Sequence, residues 1–111
     1  MGAFVPVASL ADLAPGAVLG VEVDGLEIAL ARDSDGDVHA LGDVCSHAEV
    51  PLSDGDVEDG ALECWKHGSQ FDLRTGRPRQ LPATAPVPVY PVQVDPVTGT
   101  IGVDTSAPIT P

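Results

Sequence analysis

Apolar and polar positions alternate over short stretches of this chain, and no stretch sustains helical spacing for a useful length. Phe4 to Ala8 alternates and predicts a first strand. Ser9-Leu10-Ala11-Asp12-Leu13-Ala14 predicts one helical turn capped by Ser9 and ended by Pro15-Gly16. Ala17 to Val23 and Leu26 to Ala31 predict a hairpin turning at Asp24-Gly25. Asp33 to Asp37 is a second turn, followed by a short strand from Val38 to Leu41. Val57-Glu58 and Ala61 to Cys64 predict a hairpin around Asp59-Gly60. Phe71 to Gly76 continues and turns at Thr75-Gly76. Val87 to Val94 predicts one strand around Tyr90, and Thr98-Gly99 turns into a last strand, Thr100 to Val103. The pattern is that of an all-β chain of short strands and tight turns. The tail from Thr105 to Pro111 predicts frayed chain.

Composition agrees with strands. Leu, Ile, Val and Phe number thirty, fifteen of them Val, and aromatics are only 4%. With 111 residues the chain is long enough for one domain, 1–111, and too short for two. Its branched-aliphatic core is thin, so a bound metal group would help to hold the loops together. The net charge of −12 argues against nucleic acid, whose phosphates need basic patches. No stretch has the length of a membrane span, and Met1 to Pro6 lacks the basic and apolar regions of a leader. The expectation is a cytoplasmic protein, monomeric and without a membrane contact.

The chemistry concentrates between Cys45 and His67. The chain has two cysteines and three histidines, and this stretch holds both thiols and two imidazoles. They form Cys45-Ser46-His47, then sixteen residues, then Cys64-Trp65-Lys66-His67-Gly68-Ser69. Thiolate with imidazole suits zinc or iron–sulfur. Structural zinc sites usually pair like with like, whereas here each loop carries one Cys and one His. That suits two irons side by side, one held by both thiolates and one by both imidazoles. A Cys45–Cys64 disulfide would leave both histidines unexplained, and a Cys2His2 zinc site remains the other alternative. His39 alternates with Val38 and Ala40 and reads as an ordinary strand residue. Asp33 to Asp37 lacks the terminal Glu of an EF-hand loop and reads as a polar turn.

Cys-x-His-x16-Cys-x2-His-Gly closely resembles the signature of Rieske-type [2Fe–2S] ferredoxins. The resemblance runs from about residue 4 to 104 and is strongest at 45–76. It implies a small antiparallel β sandwich with an inserted cluster-binding subdomain spanning about 43–85. It also implies that Cys45 and Cys64 ligate the inner iron of one [2Fe–2S] cluster, and that His47 and His67 ligate the outer one. Such domains carry a proline-bearing loop over the cluster. Residues 78 to 91 hold Pro78, Pro82, Pro86, Pro88 and Pro91, stiff because φ is fixed.

The departures from the family carry information too. Respiratory-chain members add a disulfide between the ligand loops, but here Val50 and Lys66 stand at those places. They also follow the second His with a Ser and a Tyr that donate to sulfur. Ser69 matches the first, but Phe71 stands in for the Tyr and has no donor. The expectation is a low-potential centre, suited to electrons from a nicotinamide-driven reductase rather than from quinol. Trp65 replaces a common Pro. Asp72 either anchors the exit of the second loop or serves as a plain turn residue. Four of the five basic residues, Lys66, Arg74, Arg77 and Arg79, follow or flank that loop, while acids crowd 54–63. This is either a solvated surface with local ion pairs or a mixed-sign docking face.

The implied role is a one-electron shuttle from a flavin reductase to the terminal oxygenase of an aromatic-ring dioxygenase system. The chain itself is expected not to be an enzyme. With His47 and His67 on the cluster, only His39 remains for a mononuclear iron. No Gly-x-Gly-x-x-Gly marks a nucleotide site. The alternatives are a module resembling the nitrite-reductase small subunit, or a Rieske-like protein in iron–sulfur assembly or redox sensing.

Overall fold

The computed structural model describes residues 4–23, 25–43, 52–58, 60–64, 70–79 and 87–105. In chain order its strands are β1 (Val5–Ser9), β2 (Val18–Val23), β3 (Leu26–Arg32), β4 (Val38–Gly42), β5 (Asp56–Glu58), β6 (Ala61–Glu63), β7 (Gln70–Asp72), β8 (Val89–Tyr90), β9 (Val92–Val94) and β10 (Thr100–Val103). They pair antiparallel into three sheets, ordered β1-β10-β9, β2-β3-β4-β8 and β5-β6-β7. The all-β reading is correct.

β3 explains how the sheets stack. Four consecutive residues, Ile28, Ala29, Leu30 and Ala31, are fully buried, which a strand allows only when both faces are covered. Ile28 and Leu30 point into one core with Leu13, Tyr90, Ile101 and Val103, shared with the β1-β10-β9 sheet. Ala29 and Ala31 point the other way, with Leu41, to meet Leu62 and Phe71 of the β5-β6-β7 sheet. Large side chains thus fill the space between the first two sheets, while alanines let the third approach closely. The first two sheets are the sandwich. The third is inserted in the chain between β4 and β8. Each large aliphatic side chain so buried contributes about 1.5–3 kcal/mol.

Local chemistry sets the ends of the elements. Ser9 caps a 3-10 turn over Leu10–Asp12, its Oγ accepting from the Ala11 N–H at 3.3 Å, as its position in the sequence predicts. The Asp33 turn closes on its own carboxylate, which accepts from the N–H groups of Asp35 and Asp37, both at 3.0 Å. Gly36 supplies the positive φ of 94° there. The turn joins β3 to its antiparallel neighbour β4, the polar hairpin expected.

One expectation needs correction. Val87 to Val94 is not one strand. Pro91 has no N–H to continue a ladder, so the chain breaks there, β8 joining the central sheet and β9 the outer one. A further 3-10 turn, Leu52–Asp54, was not anticipated, and it exists to drive Leu52 fully into the inner core. The Asp24-Gly25 and Asp59-Gly60 turns each have their Asp outside the described residues, as does the tail from residue 106. Gly25 and Gly60 have the positive φ such turns require.

Candidate metal centre

The described residues that flank three segments of the chain, 44–51, 65–69 and 80–86, are fastened together. Of the four candidate ligands, Cys64 is described. It follows β6 directly and is fully buried, packed in the core that holds Leu52, Leu62 and Phe71. Cys45, His47 and His67 lie outside the described residues, as do Trp65, Ser69 and Pro82. The setting of Cys64 fits an inner thiolate ligand, since it is fully buried in that core, away from water.

The first segment, 44–51, leaves from Asp43 and returns at Leu52. Its two flanks are joined by one carboxylate. The Ser53 N–H donates to Asp43 Oδ1 at 2.6 Å, and the Ser53 hydroxyl donates to Oδ2 at 2.7 Å. Asp43 is only 7% exposed, and its own N–H donates to the Glu27 carbonyl. Gly20 makes the room: a Cβ there would stand 2.8 Å from Ser53 Oγ. At Gly55 a Cβ would overlap the carbonyl oxygen of Glu63, so the return of this segment lies directly against the root of the next.

The second segment, 65–69, is bounded by Cys64 and Gln70. Glu63 and Gln70 are Cα partners across β6 and β7, and Gln70 Nε2 donates to Glu63 Oε2 at 3.0 Å. The third, 80–86, runs between Arg79 and Val87. The Arg79 N–H donates to the Gln70 carbonyl, the Val87 N–H to that of Gly76, and the Gly42 N–H to that of Pro88. Each segment thus leaves from an anchored root, and the roots contact one another.

Asp72 does more than serve a turn. Its Oδ1 accepts from the N–H groups of Arg74 and Thr75, and its Oδ2 takes Arg79 Nη2 at 2.6 Å. Burial pushes this carboxyl up, but the Arg79 guanidinium and the two backbone donors outweigh it and hold it below the ordinary carboxylate range. Arg79 is therefore engaged in a local ion pair. The turn part of this role was legible in Asp72-Leu73-Arg74-Thr75-Gly76, where a carboxylate bonds the backbone two residues on. The links Asp43–Ser53 and Glu63–Gln70 went unread.

His39 stands apart from the other histidines' part of the chain and is occupied. Its Nε2 lies 2.9 Å from Asp33 Oδ2, with Asp72, Arg74 and Arg79 lining the same cleft. The His39 hydrogen bond, opposed by burial and aided by the Asp37 N–H, holds the Asp33 carboxyl below its usual value. It is the ordinary strand residue expected, with a polar partner added.

Comparison with known proteins agrees with this architecture. The family model that matches is the Rieske [2Fe–2S] domain, over residues 3–91. The ferredoxin component of a naphthalene 1,2-dioxygenase system from Pseudomonas putida is 35% identical over 92 residues, 83% of this chain and 88% of that protein. Among solved structures, the ferredoxin of carbazole 1,9a-dioxygenase from Nocardioides aromaticivorans IC177 is 41% identical. Its TM-score is 0.83, with 91% of this chain and 96% of that one covered. A putative NADH-dependent nitrite reductase small subunit from Mycobacterium tuberculosis is 32% identical with a TM-score of 0.85, covering 96% and 98%.

Proposed function

The chain belongs to the Rieske [2Fe–2S] domain family, which carries one cluster of that type, and from that premise we propose that it is a one-electron carrier of an oxygenase system. It takes electrons from a flavin-dependent NAD(P)H reductase and passes them to a terminal oxygenase. The observation that carries the reading is the position of Cys64. A fully buried thiol stands at the root of the second segment, in a frame already fastened around it. Cys45 and Cys64 are the thiolate ligands of the inner iron, and His47 and His67 the imidazole ligands of the outer one. Residues of about 43–85 form the unit that holds them. When bound, the cluster supplies a reversible one-electron couple. This chain's own residues exclude water from the thiolate side and fix the roots of the ligand segments.

The same residues argue against catalysis by the chain. His39 is the one histidine left over, and it is bound to Asp33, so no two-His-one-carboxylate iron site is at hand. Among the described residues no helix is long and apolar enough to cross a membrane. Two thiols reserved for metal suit the cytoplasm.

Phe71 supports a low potential. It is fully buried in the core that contains Cys64 and offers no donor. Phe71→Tyr places a hydroxyl there, and a hydrogen bond to sulfur that strengthens tenfold in its equilibrium on reduction raises the midpoint by about 59 mV. Protein-film voltammetry reads this directly. An unchanged midpoint with the cluster intact removes Phe71 from the account.

The nitrite-reductase small subunit is a second reading, favoured by the close match in shape. All four ligand residues are nevertheless present in this sequence, which a purely structural subunit does not need. Reconstitution separates the two. With a flavin reductase, NADH and a terminal aromatic-ring oxygenase, product formation should depend on this protein. Reduction by the flavin reductase with no transfer to any oxygenase would sink the carrier role.

A further inference from the structure

We propose that the buried Asp43 carboxylate is a positioning residue that also lowers the cluster's reduction potential by its fixed negative charge. The inference rests on the reading that Cys45 is a cluster ligand. Asp43 stands two residues before Cys45, so the two Cα atoms are within about 7 Å whatever path the chain takes. At 7% exposure its charge is poorly screened by salt. Ser53 engages both of its oxygens, at 2.6 and 2.7 Å, and its N–H is tied to Glu27, so the charge cannot swing away. The bare Gly20 leaves space for this arrangement and for little else. An added electron therefore meets a standing negative charge, and the oxidised state is favoured.

The same cleft supplies the control. Glu22 and Glu27 line it with Asp43, but both are exposed and open to counterions. Their influence on the cluster is therefore screened by salt, while that of Asp43 is not.

Asp43→Asn keeps the shape and an oxygen for the Ser53 N–H while removing the charge. The midpoint is expected to rise by about 59 mV, a tenfold shift in the reduction equilibrium, and to keep that rise when ionic strength increases tenfold. The double variant Glu22→Gln/Glu27→Gln should give a smaller rise that salt abolishes. Ser53→Ala loosens the clip but keeps the charge, and should not raise the midpoint. A midpoint for Asp43→Asn equal to wild type, or a rise matched by Ser53→Ala, overturns the proposal. Should Asp43→Asn fail to take up the cluster, the smaller neutral variant Asp43→Ser carries the same expectation. Failure of both to load, while Ser53→Ala loads, assigns Asp43 a purely structural role and also overturns it. A wild-type protein without a mixed-ligand [2Fe–2S] signal sinks the underlying reading instead, a result visible before any variant is made.

Discussion

The two cores on opposite faces of β3 are built differently. The outer one, between the sandwich sheets, is held by long ladders: β2 and β3 pair through six consecutive residues, from Val18 opposite Ala31 to Val23 opposite Leu26. Into it β3 sends its large side chains, Ile28 and Leu30. The inner one rests on three-residue strands, and its ladders match only Asp56–Glu58 to Ala61–Glu63 and Ala61–Glu63 to Gln70–Asp72. What the short ladders lack, polar links between segment roots replace: Asp43–Ser53, Glu63–Gln70 and Asp72–Arg79. The outer region follows the general rules of a β sandwich. The inner one is a frame that, on the proposed reading, the metal group completes.

Cys64 should separate the two cores most sharply. Cys64→Ser should abolish cluster incorporation altogether, read as loss of iron and visible colour, while the strand signal in circular dichroism persists from the sandwich. Loss of all structure would show that the two cores are not separable.

Next in size are paired truncations. Leu30→Ala in the outer core and Leu62→Ala in the inner one each remove a fully buried side chain, at about 2–5 kcal/mol. Urea unfolding should show the Leu30 penalty undiminished after the cluster is removed by chelation. The Leu62 penalty should shrink, because the inner frame is already loosened. Equal penalties in both forms would contradict the division.

How much of this was readable beforehand follows the same line. The outer elements announce themselves locally: Ser9 before Leu10, glycine at Gly25 and Gly36, and apolar residues at every second position from Leu19 to Val23 in β2 and through β10. The spacing of two cysteines and two histidines is conspicuous because metal chemistry constrains residue type and spacing together. The Asp43–Ser53 clip is not, since ten residues separate the partners and neither type is unusual beside a loop. Leu52–Asp54 hides for a similar reason, a single turn serving one buried leucine. Pro91 was readable in principle, since a residue without an N–H cannot sit inside a paired strand.

A smaller effect belongs to Asp72→Asn. Losing a partly exposed ion pair costs about 1 kcal/mol or less. Its mark should appear as faster cluster loss to a chelator rather than as a lower melting temperature. A release rate equal to wild type would reduce Asp72 to its turn bonds.

The smallest difference is in acid. Asp33 and Asp72 titrate below their ordinary values when folded, so the unfolded chain binds protons more readily. Their contribution is complete above about pH 4 and is lost as pH falls through the folded values. In the metal-free protein, the gap in urea midpoint between wild type and Asp33→Asn should therefore narrow as pH falls below about 4. A constant gap would mean that the Asp33 links to His39 and the turn add nothing to stability.

On the proposed reading, two thiolates and two imidazoles of this chain hold a mixed-ligand pair of irons that exchanges single electrons. Electron paramagnetic resonance of the dithionite-reduced protein, with iron and sulfide assayed on the same sample, tests it most directly. The expected result is a rhombic signal of one spin per chain and two irons with two sulfides. A colourless, silent protein with one zinc and no sulfide would contradict it.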